Sequence, residues 1–254
     1  MSEVPLSSED ALELLTTGEV ESLGLLPWSS NYTFLVKILG EIPGPHNKTD
    51  IVDILAVYKP RRGEAPLWDF PEGTLCQREL ASYMVSVELG WDLIPPTVLR
   101  DGPHGIGSMQ LYIDNDADRH FFTFREEKGY CDQLQRLSAF DLITNNADRK
   151  SGHCLLDKSG HIWAIDHGIT FNTDYKLRTV IWDFAGQPIS QDMLADMRRL
   201  LDSLSSRHPL GKTLRSLLAD DEIAAFRRRI HNLLDIGVFP GPNRTRRSIP
   251  WPSV

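Results

Sequence analysis

The chain has 254 residues, 41% of them hydrophobic and 24% charged, with a formal net charge of -8. These are the values of an ordinary globular protein, which sets aside disorder and fibrous repeats. The acidic balance argues against a general nucleic-acid surface, where lysine and arginine must neutralise phosphates.

The opening MSEVPLSSEDALELL carries acids where a secretory signal carries basic residues. No later stretch approaches the ~20 apolar residues of a membrane span, so a cytoplasmic location is expected. Cys76, Cys131 and Cys154 are far apart and odd in number, which predicts reduced, structural thiols.

In chain order, Ser8 is the expected N-cap of a short acidic helix, SEDALELLTT, stopped by Gly18. A turn follows and leads into the strand TFLVKI. The run IVDILAVYKP has the β-branched content of a buried strand, and Pro60 ends its pairing, so Lys59 stands at the strand's finish. After a loop, TLCQRELASYMVSVELG reads as a helix, with Thr74 as cap, Gly90 as stop, and Leu75, Leu80, Met84 and Val87 on one face. DLIPPTVLR and GSMQLYI are two strands joined by the turn-rich DGPHGIG.

The second half changes character. YCDQLQRLSAFDLITNNADRK predicts a helix running into a polar loop, and HCLLDKSGHIWAIDHGITF predicts two short strands around DKSG. SQDMLADMRRLLDSLSS and DDEIAAFRRRIHNLLDIG are amphipathic helices, the second with Arg227, Arg228 and Arg229 on its exposed side and Gly237 as stop. The last stretch, FPGPNRTRRSIPWPSV, is too rich in proline for another helix. Trp68, Phe70 and Trp91 are expected to pack.

The chemistry concentrates at Asp148 and Asp166. The first lies in a polar loop that is costly to bury without partners; the second emerges from the apolar strand IWAI into a turn. A hairpin would bring the two carboxylates together, one to deprotonate an acceptor hydroxyl and the other to hold Mg²⁺ against nucleotide phosphates. Lys59 supplies a cation for those phosphates and Glu79 its counterion. Lys150 is a candidate to stabilise the transferring phosphoryl group. Lys176 and Arg178 follow the second carboxylate, where they could attract an anionic acceptor. His153 and His167 beside two aspartates also permit a metal-hydrolase reading, which leaves Lys59 and Glu79 unexplained.

On NNADRKSGH and AIDHG the chain resembles the atypical kinase superfamily of phosphatidylinositol 3-/4-kinases and HipA-type bacterial kinases. There a D-R-x-x-x-N loop precedes a hairpin ending in I-D-x-G. VYKPRRGEAPLWDFPEGTL and LGWDLIPPTVLRDGP extend the likeness to a bacterial kinase-like group whose substrates the resemblance does not supply. The resemblance implies an α+β, two-lobed protein-kinase-like fold, with a strand-rich N-lobe over residues 1–113 and a mainly helical C-lobe over 114–254. It implies Lys59 on the phosphates of ATP, Glu79 as its partner, Asp148 as catalytic base and Asp166 as Mg²⁺ ligand.

The adenine is expected between the lobes, at backbone near Leu111, Tyr112 and Ile113. Two departures stand out. His153 replaces the loop's asparagine, which suits Mn²⁺ better than Mg²⁺. The glycine-rich phosphate loop is replaced by a segment in which Ser29, Ser30 and Asn31 are the candidate contacts. Three activities fit: phosphoryl transfer to an unidentified hydroxyl acceptor, nucleotidyl transfer on the same fold, or nucleotide binding without turnover.

Overall fold

The computed structural model describes residues 6–26, 31–43, 49–243 and 245–254. It divides into two compact units, residues 1–80 with 95–112, and residues 81–94 with 113–254.

The first unit is built on a five-stranded antiparallel sheet in the order β1-β2-β3-β5-β4: β1 Glu19–Leu25, β2 Phe34–Pro43, β3 Thr49–Pro60, β4 Thr97–Gly102 and β5 Gly105–Leu111. Period-two alternation buries Val36, Ile38, Ala56 and Tyr58 on one face, together with Met109. The helix α1 (Ser8–Thr17) covers that face with Ala11, Leu14 and Leu15. Its N-cap is Ser7, one residue before the predicted Ser8, because the Ser7 hydroxyl accepts from the Asp10 amide. Arg100 closes the other end, donating to the carbonyls of Leu15 and Gly18 at 3.1 and 2.9 Å.

The β4–β5 turn is tighter than DGPHGIG suggested. Gly102 and Gly105 pair directly, and the Tyr58 hydroxyl donates to the Gly105 carbonyl while accepting from the His104 amide. Gly107 is required where β5 crosses the end of β3. A Cβ there would lie 2.5 Å from the Lys59 carbonyl oxygen, so no larger residue permits the pairing that frames Lys59.

The helix α2 (Leu75–Leu89) crosses the division between the units after Leu80. The predicted face is wrong: Val87 is 51% exposed, whereas Ala81, Val85 and Leu89, spaced by four, are buried. The flanking serines set this rotation, since Ser86 Oγ accepts from the Leu93 amide and Ser82 Oγ lies 3.3 Å from Thr170 Oγ1. Thr74 stands at the predicted cap position, its carbonyl accepting from the Arg78 amide and its hydroxyl donating to the Pro71 carbonyl. Glu64 accepts from the amides of Leu75 and Cys76 at 3.1 and 2.8 Å, putting a carboxylate on the positive end of the helix.

The second unit is mainly helical: the short α3 (Phe121–Phe124), then α4 (Cys131–Thr144), α5 (Gln191–Ser203), α6 (Pro209–Leu217) and α7 (Asp220–Ile236). The strands β6 (Cys154–Leu156) and β7 (Ile162–Ala164) form a separate hairpin. α6, not foreseen, begins on Pro209 at its first turn with His208 as cap. Arg229 departs from its expected exposure. Its guanidinium donates to the carbonyls of Ile143 and Asn172 at 2.7 and 3.0 Å, and burial pulls its pKa down to about 10.

Trp91 packs as expected and donates to Asp196, whereas Trp68 is 91% exposed and belongs to no core. The thiols of Cys76 and Cys154 are buried and pushed up to about 12, and Cys131 is free and exposed. No helix among the described residues is long and apolar enough to cross a membrane.

Candidate active site

In the first unit, β3 delivers Lys59 and the first turns of α2 deliver Glu79. The ammonium meets Glu79 Oε1 at 2.5 Å, with the lysine side chain 21% exposed and the glutamate 3%. A carboxylate so buried needs such a partner. Asn31 Oδ1 accepts from the Ala65 amide, which ties the segment before β2 to the loop after β3. Ser29 and Ser30 lie outside the described residues. The amides of Leu111 and Tyr112 are taken by the carbonyls of Pro96 and Leu55.

In the second unit, α4 ends at Asn145, whose left-handed backbone (φ 58°) turns the chain into the polar loop. The loop is organised by a pair that sequence reasoning missed. Asp141 and Arg149 are both fully buried and joined at 3.1 to 3.2 Å. Asp141 also accepts from Asn146 and from Thr179. Arg149 in turn donates to the Ile165 carbonyl at 2.7 Å and lies 2.5 Å from His167 Nε2. One guanidinium thereby ties the Asp148 loop to the turn that carries Asp166. The signal was a carboxylate at position 141 on the buried side of an apolar helix, among Leu137, Phe140 and Thr144.

Asp148 is 27% exposed at its side chain and meets the Lys150 ammonium at 3.3 Å. Burial pushes its carboxyl above the usual range; Lys150 opposes that shift and the Asp166 charge adds to it. Asp166 has a φ of 63°, a left-handed conformation that costs energy for a residue with a Cβ, and its side chain is 48% exposed. His153 Nε2 stands 3.4 Å from Asp166 Oδ2, while its Nδ1 faces the Lys150 amide at 3.4 Å. With Nδ1 accepting, Nε2 carries the proton and orients Asp166. His167 is buried against Arg149 and Phe140, which leaves it structural and removes the support for a two-histidine hydrolase.

The turn is held by Asp157, whose carboxylate accepts from Ser159, His161 and Trp163. Among the described residues no three histidine, cysteine or acidic side chains group to hold a metal by themselves. One half-exposed aspartate beside a histidine fits a hard cation that completes its shell with water and phosphate oxygens.

No protein-family model matches the chain. Protein Rv2133c of Mycobacterium tuberculosis is 38% identical over 278 aligned positions, which cover 96% of this chain and 96% of that one. The chain belongs to the family of Protein Rv2133c. A more distant relative of the Rv2133c family member described here is Phosphatidylinositol 4-kinase gamma 3 of Arabidopsis thaliana. It is 29% identical over 107 residues, covering 37% of this chain and 18% of that protein. Among solved structures, that of hydra Fam20 with sugar superimposes with a TM-score of 0.52 at 13% identity, over 92% of this chain and 89% of that one. The fold is α+β and kinase-like, with a sheet-rich N-terminal part and a helical C-terminal part.

Proposed function

We propose that the chain is an atypical kinase that moves the γ-phosphate of ATP to a hydroxyl acceptor. The observation that carries this reading is the cluster around Asp148 in the second unit. A partly buried carboxylate with a raised pKa stands beside a cation, Lys150, and a strained, half-exposed Asp166. The Lys59–Glu79 pair, set on a strand and a helix of a kinase-like fold, supports the same reading. Residues 1–113 serve as the N-lobe and 114–254 as the C-lobe, in a cytoplasmic protein related to the phosphatidylinositol 3-/4-kinase-like and HipA-like enzymes.

In this reading Lys59, steadied by Glu79, receives the nucleotide phosphates, with Ser29, Ser30 and Asn31 alongside. The backbone near Leu111, Tyr112 and Ile113 receives the adenine. Because the amides of Leu111 and Tyr112 are engaged, their carbonyls and the Ile113 amide carry that role. Asp166 and His153 hold Mg²⁺ or Mn²⁺, which when bound neutralises phosphate charge. For His153 to ligate through Nε2, the ring proton would have to move to Nδ1, giving up the contact with the Lys150 amide. Asp148 takes the acceptor's proton, and Lys150 faces the charge that develops on the transferring group.

ATP labelled at the γ- or the α-phosphate tests this reading. Transfer of the γ label to protein, lipid or small-molecule acceptors is the expected result. Transfer of the α label would replace it with nucleotidyl transfer, and binding without transfer of either label would make the chain a nucleotide-binding pseudokinase.

A further inference from the structure

The proline-rich segment 245–254 forms no helix or strand, yet it supplies hydrogen bonds to the Asp148 loop and to the segment packed beside it. The Ser253 carbonyl accepts from the Ser151 amide at 2.8 Å. The Ser248 carbonyl accepts from the Thr179 amide at 3.0 Å and from Trp182 Nε1 at 3.1 Å. Ser248 and Pro250 are buried, although their neighbours Arg247, Ile249 and Trp251 are exposed.

The two loop segments that receive these contacts are themselves laced together. Arg149 donates to the Arg178 carbonyl, Val180 to the Arg149 carbonyl and Arg178 to the Asn146 carbonyl, with a parallel bridge between Arg149 and Thr179. The tail therefore adds a third layer to the backbone array that holds Asp148. Ser151 is the point of leverage. Ser151 is fully buried, its peptide follows Lys150, and it opens the turn that carries His153. Without the Ser253 carbonyl, the amide next to Lys150 loses its protein acceptor and opens to water, and the turn loses a fastening.

Composition suits this role. Pro250 and Pro252 lack amide donors, and the segment meets the Ser151 and Thr179 amides with carbonyls. Proline also limits the freedom the segment loses when it docks. Its own turn is internally fastened, with Asn243 Oδ1 accepting from Thr245 and Ser248 Oγ donating to the Asn243 carbonyl.

We infer that segment 245–254 is a positioning element of the Asp148 site, holding the Asp148–Lys150 loop through the Ser151 and Thr179 amides. This rests on the phosphotransferase reading for its catalytic consequence, but not for the docking itself. Removing residues 245–254, and with them the Ser248 and Ser253 carbonyls, is expected to lower nucleotide turnover by about 10²-fold, the scale of a misplaced catalytic group, while the affinity for a non-hydrolysable ATP analogue stays near the parent's. A merely structural tail would lower both together or neither.

Amide hydrogen exchange supplies an arm independent of activity: Ser151 and Thr179 are expected to be protected in the full chain and to exchange faster in the deletion. Should the deletion fail to fold, Pro250→Gly keeps every carbonyl while loosening the segment, and is expected to lose turnover partially with nucleotide affinity intact. Unprotected Ser151 and Thr179 amides in the full chain, or a folded deletion with parental turnover, would overturn the inference. A full chain that neither binds nor turns over ATP would instead refute the kinase reading, and the exchange arm would still decide whether the tail holds the loop.

Discussion

Arg149 and Asp141 are both fully buried, and the Arg149 Nε donates to both Asp141 oxygens at 3.2 and 3.1 Å while Nη2 donates to Oδ1 at 3.1 Å. Burial alone would weaken the charge on Arg149, but Asp141 outweighs it and the guanidinium pKa is raised. The pair joins the end of α4, the Asp148 loop and the Asp166 turn through a single side chain.

Breaking such a pair strands a charge without its counterion. Asp141→Asn is expected to destabilise the protein by about 3–5 kcal/mol, read by denaturant unfolding. A loss below about 1 kcal/mol, the level of an exposed ion pair, would mean the pair does not organise the loop.

Lys59 is paired with the buried carboxylate of Glu79. Lys59→Met is expected to weaken binding of a non-hydrolysable ATP analogue about tenfold, equivalent to about 1.4 kcal/mol, with Glu79→Gln intermediate. Calorimetric titration checks this, and unchanged affinity in Lys59→Met would take that residue out of the nucleotide site.

Asp148 must be ionised to accept a proton, and burial lifts its carboxyl above the ordinary value of 3.8. The acid limb of turnover should therefore lie above that value. Lys150 lowers the same pKa, so Lys150→Met should move the limb to higher pH. The sign for stability runs the other way. A carboxyl with a raised folded pKa favours the fold when protonated, and that contribution is lost as pH rises through the folded pKa. Asp148→Asn should then be at least as stable as the parent at neutral pH, by thermal unfolding.

His153 stands where the related loop motif carries asparagine, and imidazole is a poorer partner for Mg²⁺ than for Mn²⁺. The ratio of turnover with Mn²⁺ to that with Mg²⁺ is expected to fall in His153→Asn. Identical ratios in parent and variant would remove His153 from the metal site.

Most elements were legible because their periods are strong. IVDILAVYKP could only be a strand, although it runs on through Pro60, paired with Gly107, instead of finishing at Lys59, and IWAI with DKSG before it could only be a short hairpin. The helices around Ser138, Met197 and Phe226 announced themselves by apolar spacing and by stops such as Gly237. Long-range partners were not legible. Nothing near Glu64 says that it caps a helix eleven residues on, and Asp141 looked like a polar break in an apolar helix until Arg149 reached it. Of the three arginines only Arg228 is exposed, Arg227 donating to the Leu201 carbonyl and Arg229 to two others; helical period cannot tell which arginine finds a carbonyl. The tail was read correctly as non-helical, but a proline-rich stretch does not reveal which amides its carbonyls will meet. The face of α2 was misjudged because hydrophobicity was weighed and the buried Ser82 and Ser86 were not.

The central claim is that Asp148 performs chemistry on a bound nucleotide. It is tested most directly by comparing affinity for Mg·ATP and γ-phosphate turnover in the parent and in Asp148→Asn. The expected result is affinity within about twofold and turnover lower by about 10²-fold or more, the contribution of a positioned base. Turnover that survives the substitution unchanged would contradict it.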